Sequence, residues 1–392
     1  MPSSKFDIVV YGATGFTGQL VAEYLAEHYR GDRELKWAMA GRSRDKLASV
    51  RDAIGAPADT PLIVADAGDP VSLKDMIDQT RSVVTTVGPY LLYGNELVAA
   101  CAASGTDYLD LCGEVPWMRR MIDAHLATAQ HSGARIMFSC GHDSVPFELG
   151  TFFVQQEAKR VFGAPASRVK GRVREMRGTF SGGTAASTKA IFDAASQDQS
   201  LLALLRSPFA LTPDFQGPKQ PPGNKPVYDE DLKSWLTPFF MANINTRNVH
   251  RSNMLLGFPY GRDFIYDEMQ IAGPGAEGEE EAKRLLAANN KMAFSATLKP
   301  GEGPSKHERD TGMYDLLFVG LAEGGRQVRV AVRGDRDPGY GSTSKMIAEC
   351  AICLLRDAPE VAGGIWTPGA AMGNRLIKRL VDHAGLTFQV EA

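Results

Sequence analysis

The chain has 392 residues, 44% hydrophobic and 23% charged, which suits two or three domains with real cores and no disulfide or metal staples. Forty-three basic residues against forty-six acidic ones give a net charge of -3, without the basic excess of a nucleic-acid binder; five cysteines suit a reducing compartment. No signal peptide precedes the first strand and no apolar run approaches about 18 residues, so the expectation is a cytoplasmic protein, at most peripheral at a membrane.

Phe6–Tyr11 (FDIVVY) is a short apolar run that predicts a buried strand. The glycine-rich stretch 12–18 follows, and then Phe16, Leu20, Val21, Tyr24 and Leu25 recur at helical spacing. Further strands are expected at 35–40, 61–65, 82–87, 107–111 and 135–139, and helices at 44–54, 70–77, 94–103 and 116–131. This alternation predicts a parallel sheet covered on both faces, in the doubly wound manner of dinucleotide-binding folds.

The rhythm changes near Val145. Residues 169–176 alternate like a half-buried strand, and helices are expected at 184–195 and 197–207. Five prolines and two glycines make 213–226 a loop. Strands separated by turns are expected within 253–269, 291–298, 312–322 and 328–333, and a final helix over 342–356. The acidic run Glu277–Glu281 reads as a solvated helix start. The expected fold class is therefore α/β: a doubly wound parallel sheet over residues 1–145, a mixed α+β substrate or dimerisation domain over 146–339, and a helical segment over 340–392.

The candidate cofactor loop is Gly12, Ala13, Thr14, Gly15, Phe16, Thr17 and Gly18. A glycine triad alone marks any tight turn, but here it follows a strand and opens a helix. The free N–H groups of that helix and its dipole then suit a pyrophosphate. NAD-binding proteins place an acid at the end of the second strand; here the chain reads Ala40-Gly41-Arg42-Ser43, with Lys46 one turn on. Arg42, Ser43 and Lys46 suit the 2′-phosphate of NADP(H). The plain alternative is a surface arginine beside a helix start. The phosphate loop alone does not separate nicotinamide from flavin.

The segments GATGFTG, AGRSRDKL (40–47), VGPYLLYG (87–94), CAASGTDYLDLCGE (101–114) and CGHDSVPFELG (140–150) occur in that order. Together they resemble the saccharopine dehydrogenase-like oxidoreductases. The segments GYGSTSKMIAECAICL and GGIWTPGAAMGNRLIKRL resemble one branch of that superfamily, which includes mycobacterial trans-acting enoyl reductases of lipid precursors. The resemblance implies a Rossmann domain, a C-terminal segment (340–392) that packs back on it, NADP(H), and hydride transfer to a C=C or C=N bond of a small or lipid-like acyl substrate.

In a doubly wound sheet, ligands lie beyond the carboxyl ends of the strands. Gly88 and Pro89 there would let the backbone approach the nicotinamide ribose, while Tyr90 and Tyr93 are candidate proton donors or ring-packing residues. Glu114 is a candidate ribose contact or a helix-terminal carboxylate. His142 is the best candidate for acid–base work, because imidazole titrates near neutrality. Asp143 could orient it or contact substrate. Ser181, Gly182, Gly183 and Thr184 form a second glycine loop suited to an anionic substrate group, or simply a turn and cap. Cys350 and Cys353 form a CxxC within an apolar helical stretch and read as core, so no metal site is expected. The Tyr/Lys pair of short-chain dehydrogenases is missing at its usual spacing. Residues 201–211 and 235–241 are apolar enough for a lid, a lipid-facing patch or a homodimer seam, with ordinary core as the plainer reading. The rival to an enzyme is a non-catalytic NADP-binding redox sensor or lipid-surface protein.

Overall fold

The computed structural model describes residues 4–178, 186, 187, 189–191, 193, 196, 198–294 and 301–391. The N-terminal strands are β1 (Phe6–Tyr11), β2 (Trp37–Gly41), β3 (Leu62–Val64), β4 (Thr80–Thr85), β5 (Asp107–Leu109) and β6 (Arg135–Met137). The helices between and after them are α1 (Phe16–His28), α2 (Arg44–Ala53), α3 (Pro70–Ile77), α4 (Tyr90–Tyr93), α5 (Asn95–Ser104), α6 (Val115–Ser132) and α7 (Val145–Phe162). The strands pair in parallel in the order β6-β5-β4-β1-β2-β3. The chain order therefore reverses between β1 and β4, and this opens a crevice at their carboxyl ends.

Alternation along each strand builds a core on both faces. Ile8, Val10, Met39 and Val84 pack with Val21 and Leu25 of α1. Val9, Tyr11, Ala38 and Val83 pack on the opposite face, with Leu73 of α3, Val98 of α5 and Trp117 of α6. Local signals fix the helix starts: Ser43 Oγ accepts the Lys46 N–H at the head of α2, and Asp69 caps α3 ahead of Pro70.

The second sheet contains β7 (Arg168–Arg177), β8 (Val227–Asp229), β9 (Ser234–Pro238), β10 (Ile265–Gly273), β11 (Met313–Leu321), β12 (Gln327–Gly334) and, from the C-terminal segment, β14 (Leu386–Glu391). Its order is β14-β12-β11-β7-β10-β9-β8, with β7 and β10 parallel and the other pairs antiparallel. On β7, Val169 and Val173 enter the core with α7. The intervening Lys170, Arg172 and Arg174 meet Asp229, Asp267 and Asp315 at 2.8–3.0 Å.

The remaining helices are α8 (Gln199–Arg206), α9 (Ala242–Leu255), α10 (Gly275–Phe294), α11 (Lys306–Thr311), α12 (Thr343–Ile352) and α13 (Pro368–His383). Three features depart from the sequence reading. Residues 253–255 end the helix Ala242–Leu255, and only 265–269 of the stretch 253–269 read as strands is β, within Ile265–Gly273. Residues 291–294 end α10, and 295–298 lie outside the described residues. After α12 the chain is not simply helical: β13 (Gly364–Trp366) joins the first sheet beside β6, and β14 joins the second beside β12. Phe209, Leu211, Leu236 and Phe239, from the two apolar segments, are buried within this chain. No helix among the described residues is long and apolar enough to cross a membrane.

Candidate active site

A cavity of about 410 Å³ lies at the carboxyl edge of the parallel sheet. One wall comes from the strand ends: Thr17 after β1, Thr86 and Gly88 after β4, Leu111, Gly113, Glu114 and Val115 after β5, and Gly141 and Asp143 after β6. Phe240 and Met241, with Asn243, Ile244 and Arg247 of α9, form the facing wall, and Gly339, Tyr340 and Thr343 close one side.

The glycine loop is built for close approach. Gly12 has φ +90, in the left-handed region, and its carbonyl accepts the Gly15 N–H at 2.8 Å. A Cβ on Gly18 would stand 2.1 Å from the Gly12 carbonyl oxygen, so only glycine lets α1 seat on the loop. The first turn of α1 holds no acidic residue, and Gly15 supplies no side-chain cap. Its N–H groups are therefore available to an anion. Ala13 is buried in the core, and Thr14 accepts a bond from Gln19 at its carbonyl. Phe16 turns away toward the second domain, its ring 5.2 Å from that of Tyr340 and under the Arg309 guanidinium. Arg42 and Lys46 are exposed beyond β2, outside any ion pair among the described residues. The Ser43 hydroxyl is already engaged as the α2 cap. The loop, the uncapped helix end and these two cations fit a dinucleotide carrying an extra phosphate.

Several expected roles change once side chains are placed. Glu114, 1% exposed, is a structural cap: Oε1 accepts the Tyr90 N–H (2.9 Å) and the Ser187 hydroxyl (2.8 Å), and Oε2 accepts the Leu91 N–H (2.7 Å). Burial raises its pKa against these bonds. The Tyr90 hydroxyl donates to the Thr85 carbonyl and accepts the Leu111 N–H at the cavity wall, and burial pushes its pKa well up. Tyr93 is 48% exposed and lies off the cavity. Gly88 lines the cavity, and Pro89 follows it through a cis bond to head α4.

His142 also departs from expectation. Its imidazole is 3% exposed, between the rings of Phe147 (5.5 Å) and Tyr314 (4.8 Å), with Nε2 unpartnered. Desolvation lowers its pKa to about 3, so it stays neutral and cannot act as an acid near pH 7. Asp143, the next residue, lies at the cavity instead. Its carboxyl lines the cavity, has no hydrogen-bond partner among the described residues, and is pushed up to about 7 by burial. The turn carrying it is fixed: Ser139 (φ 58) and Ser144 (φ 122) both have positive φ, Asp110 accepts the Ser139 N–H at 3.0 Å, and Thr343 Oγ accepts the His142 N–H at 2.9 Å.

Ser181, Gly182, Gly183 and Thr184 lie outside the described residues. Sequence reasoning missed Asn243, Arg247, Tyr340 and Thr343. The Gly-Tyr-Gly turn at 339–341 was visible, but nothing local signalled that Asp337 would hold it by accepting the Tyr340 and Gly341 N–H groups.

Residues 8–137 match the saccharopine dehydrogenase NADP binding domain. A Mycobacterium tuberculosis protein bearing the trans-acting enoyl reductase name is 38% identical over 412 residues, spanning 98% of this chain and 97% of its own. The trans-acting enoyl reductase of Mycobacterium ulcerans is 35% identical over 405 residues, covering 96% of each chain. Among solved structures, apo saccharopine dehydrogenase (L-Glu forming) from Saccharomyces cerevisiae shares the fold at TM-score 0.53 and 12% identity, covering 99% of this chain and 100% of its own. Homospermidine synthase from Legionella pneumophila, in complex with NAD, does so at TM-score 0.54 and 10% identity, covering 99% and 92%.

Proposed function

Because the chain belongs to the saccharopine dehydrogenase-like oxidoreductases, in the branch of the trans-acting enoyl reductases, we propose that it reduces the C=C bond of an enoyl substrate in this cavity. The chain is an NADP-dependent oxidoreductase; the bond reduced is the proposed part. The observation that carries it is Asp143, without a hydrogen-bond partner among the described residues, lining an otherwise largely apolar cavity beside the cofactor crevice.

Gly12, Gly15, Thr17 and Gly18 would hold the pyrophosphate, and Arg42 with Lys46 the 2′-phosphate. Once bound, NADPH supplies a hydride from C4 of its nicotinamide. Leu111, Val115, Leu205, Phe240 and Ile244 exclude water from the acyl chain. Asp143, about half protonated near neutrality, delivers the proton that completes reduction at the α carbon. His142 takes no part in proton transfer, and Tyr90 and Glu114 keep the wall in place.

The test is NADPH oxidation with a panel of enoyl thioesters, cyclic imines and keto-acid/amine pairs. Thioester-dependent oxidation with a saturated product supports the reading. Turnover of imines alone moves the chemistry to C=N. NADPH binding without turnover on any acceptor refutes it and returns the sensor alternative.

A further inference from the structure

The wall formed by α9 carries a cation whose charge no carboxylate among the described residues answers. Arg247 is 4% exposed and lines the cavity. Its guanidinium donates to two backbone carbonyls, those of Asn243 and Leu205, and its Nε has no partner. No ion pair among the described residues includes it, whereas Arg172, equally buried, meets Asp267 at 2.8 Å. Desolvation without a compensating charge lowers the Arg247 pKa to about 10. A buried guanidinium left in this state is costly unless something negative arrives. Asn243 lies one helical turn earlier, is exposed and lines the same cavity.

We infer that Arg247, with Asn243 beside it, holds the carbonyl oxygen conjugated to the double bond and carries the negative charge that oxygen gains as the enolate forms. The inference rests on the enoyl reading above. The β carbon gains the hydride with its electron pair; the C=C π pair moves into the bond between the α carbon and the carbonyl carbon; the carbonyl π pair moves to oxygen, facing the guanidinium. The carbonyl then re-forms, the α carbon takes the Asp143 proton, and one NADPH is oxidised for each C=C bond reduced. Two walls therefore divide the labour: the α9 wall stabilises charge on oxygen, and the β6 wall supplies the proton to carbon. Such a donor acts only as charge develops, so it raises kcat more than it tightens binding.

The experiment compares wild type, Arg247→Gln and Arg247→Lys in the full chain, with the crotonyl thioester of N-acetylcysteamine as acceptor. Thermal melts and NADPH affinity serve as controls. A second readout uses the acetoacetyl thioester with NADP+, whose enolate absorbs in the near ultraviolet. The expected result is a kcat loss of about a hundredfold in Arg247→Gln, KM and NADPH affinity nearly unchanged, and partial recovery in Arg247→Lys. The enolate band appears with wild type and is lost with the glutamine variant. If wild type reduces the thioester while Arg247→Gln keeps kcat within about threefold and retains the band, the inference is overturned and the enoyl reading survives. If Arg247→Gln fails to fold, Arg247→Lys decides: equal losses in melting and NADPH affinity, with the enolate band unaltered, mark Arg247 as a strut and overturn the inference. If wild type reduces imines but no enoyl thioester, the enoyl reading itself falls.

Discussion

Asp143→Asn is the sharpest perturbation of the proposed chemistry, because burial places the Asp143 pKa at about 7 while its neighbour His142 is driven to about 3. With a pKa of about 7, the carboxyl is about half protonated at pH 7, roughly one-eleventh protonated at pH 8 and roughly one-hundredth at pH 9. If this proton completes the reduction, kcat is level below about pH 6 and falls nearly tenfold per unit above pH 7. Asn keeps the shape but not the proton, so kcat drops by about 10²–10⁴ and its pH dependence disappears. Stability moves in the opposite sense. A carboxyl raised from 3.8 to about 7 on folding contributes stability that is fully present below about pH 3.8, declines as pH rises, and is gone above about 7. At pH 8 the variant is relieved of a partly buried charge and melts higher than wild type. The assay is NADPH oxidation under saturating enoyl thioester from pH 5.5 to about 9, paired with melts at the same pH values. His142→Asn is the control and keeps the wild-type profile. An Asp143→Asn enzyme with the wild-type limb above pH 7 would refute the reasoning.

Arg42→Ala removes a cation exposed beyond β2, and a charge-assisted phosphate bond is worth about 1.5–3 kcal/mol. Titration calorimetry should show NADPH losing about ten- to a hundredfold in affinity while NADH binds as before; equal losses for both would remove Arg42 from the 2′-phosphate site. Gly18→Ala puts a methyl 2.1 Å from the Gly12 carbonyl oxygen, so α1 must retreat from the loop. A stability loss of about 1–3 kcal/mol and an NADPH affinity at least about tenfold weaker are expected, and unchanged binding by calorimetry would show that the loop is not the phosphate seat. Arg135→Met strands Asp107, whose carboxyl is 4% exposed and holds Arg135 Nε at 2.9 Å. A loss of about 3–5 kcal/mol in urea unfolding is expected; less than about 1 kcal/mol would mean that the pair is not needed.

The parallel sheet was legible because each strand is a short apolar run followed by a turn and an amphipathic helix, and those signals are local. Helix α9 was not. Of its nine buried residues, seven are polar, leaving Ile244 and Val249 as the apolar ones, so no 3.6-residue apolar stripe exists. Its polar groups are answered from far along the chain: Arg251 donates to the Leu211 and Ile365 carbonyls, and Ser252 to Glu148. The different placements of His142, in aromatic packing, and Asp143, at the cavity, were equally hidden. Adjacent residues in a turn differ in sequence only by type, and the backbone at Ser139 and Ser144 decides which side chain enters the aromatic packing and which reaches the cavity. β13 is three residues long and gives no periodicity to read.

That short strand bears on how the protein is made. Gly364 to Trp366 pairs with Arg135 to Met137, so the outer edge of β6 stays open while β7 to β12 of the second sheet are translated. The nascent N-terminal half emerges with an unprotected strand edge, and until residue 366 has left the ribosome it is exposed to mispairing with neighbouring chains. Expression of residues 1–145 alone should therefore yield aggregates, and ribosome stalling anywhere before β13 should leave a product that chaperones must hold.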